Sequence, residues 1–334
     1  MTRKADPTDK TSGSRTDVQP EIRSSSCFVP GHITGFFEIC DDDDPHRKGS
    51  RGCGLVPDIG LTTTVRLIPA EERENDPSSA VSDISDANIR IFLNGREVPG
   101  QVIRNVLSVL KITPPPGFSI EVSGVSDLPV GCGFGMSAAG ALGTAFASND
   151  LFRLHLPADD LTEAAHAAEV MNGSGLGDVA GCSTGGLVLR EAPGGPKYGS
   201  FRRIPVSPRK IFCLVLGVLD TSTVLSDPER ARKIKEEGRI AMARFLQDET
   251  FDSFMAVSRA FSEKIGLMSR EAAAAINALD PSLAEASQAM LGNTVFAAAV
   301  VPGSPEAEKH IYETLSRFGK VIVFNIGFRT PELI

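Results

Sequence analysis

The chain runs to 334 residues, 41% of them hydrophobic and 23% charged, with a formal net charge of −8 at pH 7. That balance is typical of a soluble globular protein long enough for two modest domains. There is no basic stripe interleaved with aromatics, so no nucleic-acid partner is expected. The longest apolar runs, IFCLVLGVL and TVFAAAVV, are too short to cross a bilayer and read as buried strands, so no membrane partner is expected either.

In chain order, residues 1–25 are polar and of mixed charge, lack the apolar centre of a signal peptide, and read as a disordered extension. SSCFVPGHITGFFEI follows as a strand broken at Pro30-Gly31 and an apolar stretch, ending in the loop DDDDP. The consecutive carboxylates Asp41 to Asp44 repel one another and read as solvated rather than as a cation site. GSRGCGLVPDIGLTTTVRLIP is glycine-rich and then alternates as a strand does. In IRIFLNGREVPG, Asn94-Gly95 stands between two strand-like runs, the signal of a type I′ hairpin. QVIRNVLSVLKI has a helical period, and PPPGFSIEVSG leads through a strand into LPVGCGFGMSAAGALG, Leu128 to Gly143.

Helices are expected over Ser137 to Phe152 and Ala158 to Met171, the second with Leu161, Ala164, Ala165 and Ala168 on one face. NGSGLGDVAGCSTGGLVLR then reads as a glycine-rich loop running into a strand. From about Phe201 the texture changes. The strand IFCLVLGVL is followed by helices from Asp227-Pro228 to about Leu291, the strand TVFAAAVV, a helix capped at Ser304-Pro305 and the strand VIVFNIG. Helices and strands mix without internal repeats, giving an α+β chain with domains over residues 26–200 and 201–334. The six cysteines, Cys27, Cys40, Cys53, Cys132, Cys182 and Cys213, show neither CxxC nor zinc spacing and read as reduced thiols of a cytoplasmic enzyme.

The glycines at 131, 133 and 135 raise the chemical question. A bare backbone before a helix lets an anion reach the unpaired N–H groups at the helix start, and it equally permits close packing. Neither GxxxxGK[ST] nor a convincing GxGxxG is present. Ser137 either caps the helix or offers its hydroxyl to Mg²⁺ or a phosphate. Glu169 and Asp178 supply two carboxylates nearby in sequence. Phosphoryl transfer needs one group to hold a cation and another to orient or deprotonate the attacking hydroxyl, although a solvated Glu and a turn Asp would have the same spacing.

LPVGCGFGMSAAG resembles the PxxxGLGSSAA signature of the GHMP kinase superfamily, which includes galactokinase, homoserine kinase and mevalonate kinase. Pro129, Gly133, Gly135, Ser137, Ala138 and Ala139 are in register, while Phe134 and Met136 depart from it. VPGHITGFFEI resembles the superfamily's first motif and AMLGNTVFAAAV its third, so the resemblance spans nearly all of residues 26–334. Within the superfamily, FVPGHITGFFEI, GSRGCG and GDVAGCSTGGLVLR look most like the archaeal pantoate kinase family; His32 stands where the mevalonate kinase branch commonly has lysine.

The resemblance implies a GHMP kinase fold, with a ribosomal-S5-domain-2-like N-terminal domain and a ferredoxin-like C-terminal domain. It also implies ATP- and Mg²⁺-dependent phosphorylation of the small molecule pantoate, and it leaves a homodimer open. ATP is expected on Pro129, Gly131, Gly133, Phe134, Gly135, Met136, Ser137 and Ala138, its phosphates on the backbone donors of Gly133 to Ser137, and Mg²⁺ on Ser137 and Glu169. Asp178 is expected as the base. Arg190 and Arg51 have the planar geometry for the acceptor carboxylate. His32, Ser50 and Thr221 are expected near acceptor hydroxyls, with a packed, hydrogen-bonded histidine the alternative for His32. Another GHMP small-molecule kinase (homoserine, shikimate or mevalonate type) and a catalytically silent ligand sensor remain as alternatives.

Overall fold

The computed structural model describes residues 23–70, 88–219 and 226–334. Strand β1 (Arg23–Pro30) pairs antiparallel with β4 (Gly60–Pro69) along its whole length, from Arg23↔Leu67 to Pro30↔Gly60. Residues 23–25, expected in the extension, therefore belong to a sheet. In β4 the alternation puts Leu61, Thr63, Val65 and Leu67 inside, while Thr62, Thr64 and Arg66 stay partly exposed. The sheet continues through β7 (Phe118–Ser126), which is antiparallel to β4 and parallel to β5 (Ile89–Leu93). β5 turns into β6 (Arg96–Glu97) at Asn94 and Gly95, both with positive φ (47° and 77°), as a type I′ turn requires.

Helices α1 (Gln101–Val109), α2 (Met136–Leu151) and α3 (Ala158–Asn172) pack with this sheet, α2 lying directly on β1 and β4. α2 is buried nearly all round, so it has almost no polar face to offer. Gly143 shows why its residues are small: a Cβ there would sit 2.5 Å from Thr63 Oγ1. The two readings of Leu128 to Gly143 thus divide along the segment. Ala138 to Gly143 serve close packing, and the glycines before them do something else.

A second sheet runs β2 (Ile33–Cys40), β3 (Gly49–Leu55), β8 (Leu187–Ala192), β9 (Ser200–Ile204), all antiparallel. Its pairing continues past the boundary expected at residue 200. The segment read as a glycine-rich loop before β8 contains a short helix, α4 (Asp178–Thr184). The third sheet is antiparallel in the order β11 (Ala284–Gln288), β12 (Asn293–Ala299), β10 (Lys210–Gly217), β13 (Val321–Asn325). Helices α5 (Pro228–Phe245), α6 (Phe251–Ile265) and α7 (Arg270–Asn277) precede β11, and α8 (Pro305–Leu315) follows β12.

The helical reading up to Leu291 fails at β11. LAEASQAML is helix-prone by composition, but pairing from Ala284↔Ala299 to Gln288↔Val295 overrides that propensity. Phe36 meets Phe245 and Phe254 at 5.5 and 6.4 Å between ring centroids, and Phe37 meets Phe261 at 6.0 Å, joining β2 to α5 and α6 in one continuous core. A last strand, β14 (Glu332–Leu333), returns to β1.

Candidate active site

The glycine loop is folded onto the body through its carbonyls. Leu219 N–H donates to Gly131 O at 3.0 Å, Thr294 Oγ1 to Cys132 O at 2.7 Å and His32 N–H to Phe134 O at 2.9 Å. Gly131, Gly133 and Gly135 have φ of 76°, 89° and 66°, a left-handed path that non-glycine residues rarely take. α2 opens at Gly135 without a side-chain cap, so the N–H groups of its first turn lack intrahelical partners. Ser137 is not the cap: it is the second residue of the helix. Ala138 is fully buried and contributes no side chain to the site.

Gly131, Gly133 to Ser137, Glu169, Asn172, Ser174 and Asp178 line a cleft of about 530 Å³, together with Val218, Leu219, Met290 and Leu291. Beside it, sharing Val130, Met136, Ser137 and Asn172, lies a largely apolar pocket of about 220 Å³ between β5, α1 and α2.

The two carboxylates face this cleft in different states. Glu169, in the last turn of α3 and 2% exposed, accepts from Ser137 Oγ at 2.5 Å and Ser174 Oγ at 3.0 Å. Burial pushes its carboxyl up to about 7; the two hydroxyls pull it back, and the charge of Asp178 adds to the rise. Asp178 is the first residue of α4, and its side chain remains 28% exposed. Its Oδ1 accepts from His32 Nδ1 at 2.8 Å and from Thr34 Oγ1 at 3.0 Å. Burial raises this carboxyl, but the His32 and Thr34 hydrogen bonds and the Arg190 charge outweigh it and hold Asp178 below the ordinary range.

Behind Asp178 the alternation of β3 sends Gly52 and Gly54 to one face, toward Arg190 and His32, with Ser50 two residues earlier on that face. Ser50 is buried, and its Oγ lies 2.5 Å from where a Cβ on Gly177 would be. Arg190 is 2% exposed, and its Nε and Nη1 have no hydrogen-bond partner among the described residues. Burial depresses its pKa, opposed by the charge of Asp178.

Arg51 points the other way. Its Nε donates to Glu191 O at 2.9 Å and its Nη1 to Glu38 at 3.3 Å, so the structure does not bring it to the cleft. His32 meets Asp178 rather than the open cleft. Thr221 lies outside the described residues. Thr34 and Ser174 were missed. Thr34 could have been found from HIT, where it stands two residues after His32, whereas nothing local marks Ser174.

The helix start opened to a cleft by three left-handed glycines lies within the segment that places the chain in a class, the GHMP kinases. The family model for the GHMP kinases N terminal domain matches residues 100–186. Along most of its length the chain is 31% identical to a pantoate kinase of Methanospirillum hungatei, over 94% of this chain and 98% of that protein. It is 34% identical to a pantoate kinase of Thermococcus kodakarensis, over 84% and 89%. A solved structure titled as a phosphotransferase related to the CoA biosynthesis pathway superposes with a TM-score of 0.77 at 28% identity, over 93% of this chain and 99% of that one. Homoserine kinase from Cytophaga hutchinsonii, at 19% identity and a TM-score of 0.62, shares the fold. The chain belongs to the pantoate kinase family of the GHMP kinases.

Proposed function

We propose that the protein transfers the γ-phosphoryl group of ATP to the primary hydroxyl of pantoate, giving 4-phosphopantoate and ADP. The observation that carries this reading is the meeting of Ser137, Glu169 and Asp178, from three helices, in the cleft that the glycine loop lines. The N–H groups at the start of α2 and the macrodipole behind them suit the nucleotide phosphates. The adjoining apolar pocket suits a base.

Ser137 and Glu169 suit Mg²⁺: a buried carboxylate facing only hydroxyls, with its pKa raised to about 7, lacks a positive partner that a cation would supply. Bound there, Mg²⁺ would neutralise phosphate charge. Asp178 offers Oδ2 to the acceptor hydroxyl, orienting it and taking its proton as the oxygen bonds to the γ-phosphorus and the bond to the ADP oxygen breaks. A carboxylate held below its usual pKa is a weak base, so orientation is its larger contribution. The unpaired Nε and Nη1 of Arg190, buried behind this point, suit the acceptor's carboxylate.

A coupled ADP-release assay with pantoate, pantothenate, homoserine, shikimate and mevalonate tests the reading. Turnover on pantoate at least 100-fold above the others is expected; preference for another acceptor refutes it.

A further inference from the structure

His32 is an unusual buried histidine. Its ring is 0% exposed, its Nδ1 lies 2.8 Å from Asp178 Oδ1, and its Nε2 has no hydrogen-bond partner among the described residues. An ionised carboxylate only accepts, so Nδ1 carries the proton; complete burial, which lowers the imidazole's pKa, leaves Nε2 bare. The slot explains how a bare nitrogen is tolerated. A Cβ on Gly54 of β3 or on Gly181 of α4 would overlap the imidazole, so the ring is held between two glycine backbones from separate elements. One step along, a Cβ on Gly177 would fall 2.6 Å from Arg190 Nε, and one on Gly52, besides overlapping Phe36 O, would come 3.0 Å from Arg190 Nη2. The i, i+2 spacing of the β3 glycines thus matches the i, i+4 spacing of Gly177 and Gly181, and two planar side chains, an imidazole and a guanidinium, sit side by side behind Asp178.

We propose that His32 is a positioning residue. As the neutral Nδ1–H tautomer it pins Oδ1 of Asp178, with Thr34, so that Oδ2 is the oxygen presented to the acceptor, and Gly54 and Gly181 are glycine because they form its slot. A role for His32 on the substrate itself is thereby replaced. The charged and titratable groups around the pair are Asp178 and Cys182 of α4, Arg190 of β8 and Glu169 of α3. The kinetic arm of this proposal rests on the pantoate kinase reading; the spectroscopic arm does not.

The spectroscopic arm is ¹⁵N NMR of histidine-labelled native protein without ligands, in which the resonances missing from His32→Asn identify His32 among the five imidazoles. The expected result is an Nδ1–H tautomer that is still neutral at the ordinary histidine pKa of about 6.5. An Nε2–H tautomer, or titration near the ordinary value, overturns the proposal even if the variants fold poorly.

In the kinetic arm, His32→Phe removes the donor and His32→Asn keeps an N–H near Nδ1. His32→Phe should lower kcat by about 10- to 100-fold, since misplacing a reacting group by about 1 Å has costs on that scale. It should also move the acid limb of the kcat/KM profile up by about 1–2 pH units, because Asp178 loses a stabilising donor. His32→Asn should recover most of kcat. A raised pantoate KM with unchanged kcat in His32→Phe would return His32 to the substrate and overturn the proposal. If the native protein makes no phosphopantoate, the functional reading falls while the tautomer measurement still decides the role of His32.

Discussion

Asp178→Asn isolates the chemistry at the centre of the site. The substitution keeps the size of the side chain, and the amide oxygen can retain the bonds from His32 Nδ1 and Thr34 Oγ1, at 2.8 and 3.0 Å. What then faces the acceptor is an NH₂ group, a donor where an acceptor is needed. Because the native carboxyl is held below the ordinary range, its loss as a proton acceptor belongs at the lower end of general-base effects, and turnover should fall by about 10²- to 10³-fold. The Kd for ATP should change little, since the phosphate loop is held by Leu219, Thr294 and the His32 backbone rather than by Asp178. Stability should fall by about 1–3 kcal/mol, less than the full cost of breaking a buried contact pair, because the buried Arg190 charge loses its nearest compensation. The checks are coupled ADP release at saturating substrates, calorimetric ATP binding and thermal unfolding. A folded variant keeping more than a third of native turnover would refute the assignment of Asp178.

Arg190→Lys keeps the charge but loses the planar fork, so the pantoate KM should rise by about tenfold while the ATP KM stays within twofold; equal damage to both would mark Arg190 as purely structural. Glu169→Gln should lower activity at low Mg²⁺ and regain part of it when Mg²⁺ is titrated to tens of millimolar, a recovery that Asp178→Asn should not show. Outside the cleft's lining, half-buried Glu285 is raised to about 7 by burial and by the charge of Asp252, with Arg209 opposing. The unfolded chain ionises this carboxyl near 4.5, so its contribution to stability is complete below that pH and is lost as pH rises through about 7. Glu285→Gln should therefore raise Tm at pH 8 by about 1–3 °C, after allowance for solvent screening, and leave Tm at pH 5 unchanged.

The elements that periodicity and turn chemistry specify locally were legible in the sequence. α2 and α3 begin and end within about a residue of their expected bounds, and the Asn94-Gly95 hairpin has the two positive φ angles its turn demands. The glycine loop, Ser137, Glu169 and Asp178 were also legible, because GHMP-type spacing survives in the chain even where Phe134 and Met136 depart from it. β11 was not legible: its residues favour a helix in isolation and become a strand only beside β12. Nor could spacing tell Arg51 from Arg190, since which face of a strand meets the cleft depends on register with β8 and β2. The partnership of His32 with Asp178 joins residues 146 positions apart and was likewise beyond local reading. It exists because one strand and the start of a short helix bring four glycines together around an imidazole and a guanidinium. The glycines are plain in the sequence, but what they make room for is decided only when β3 and α4 meet.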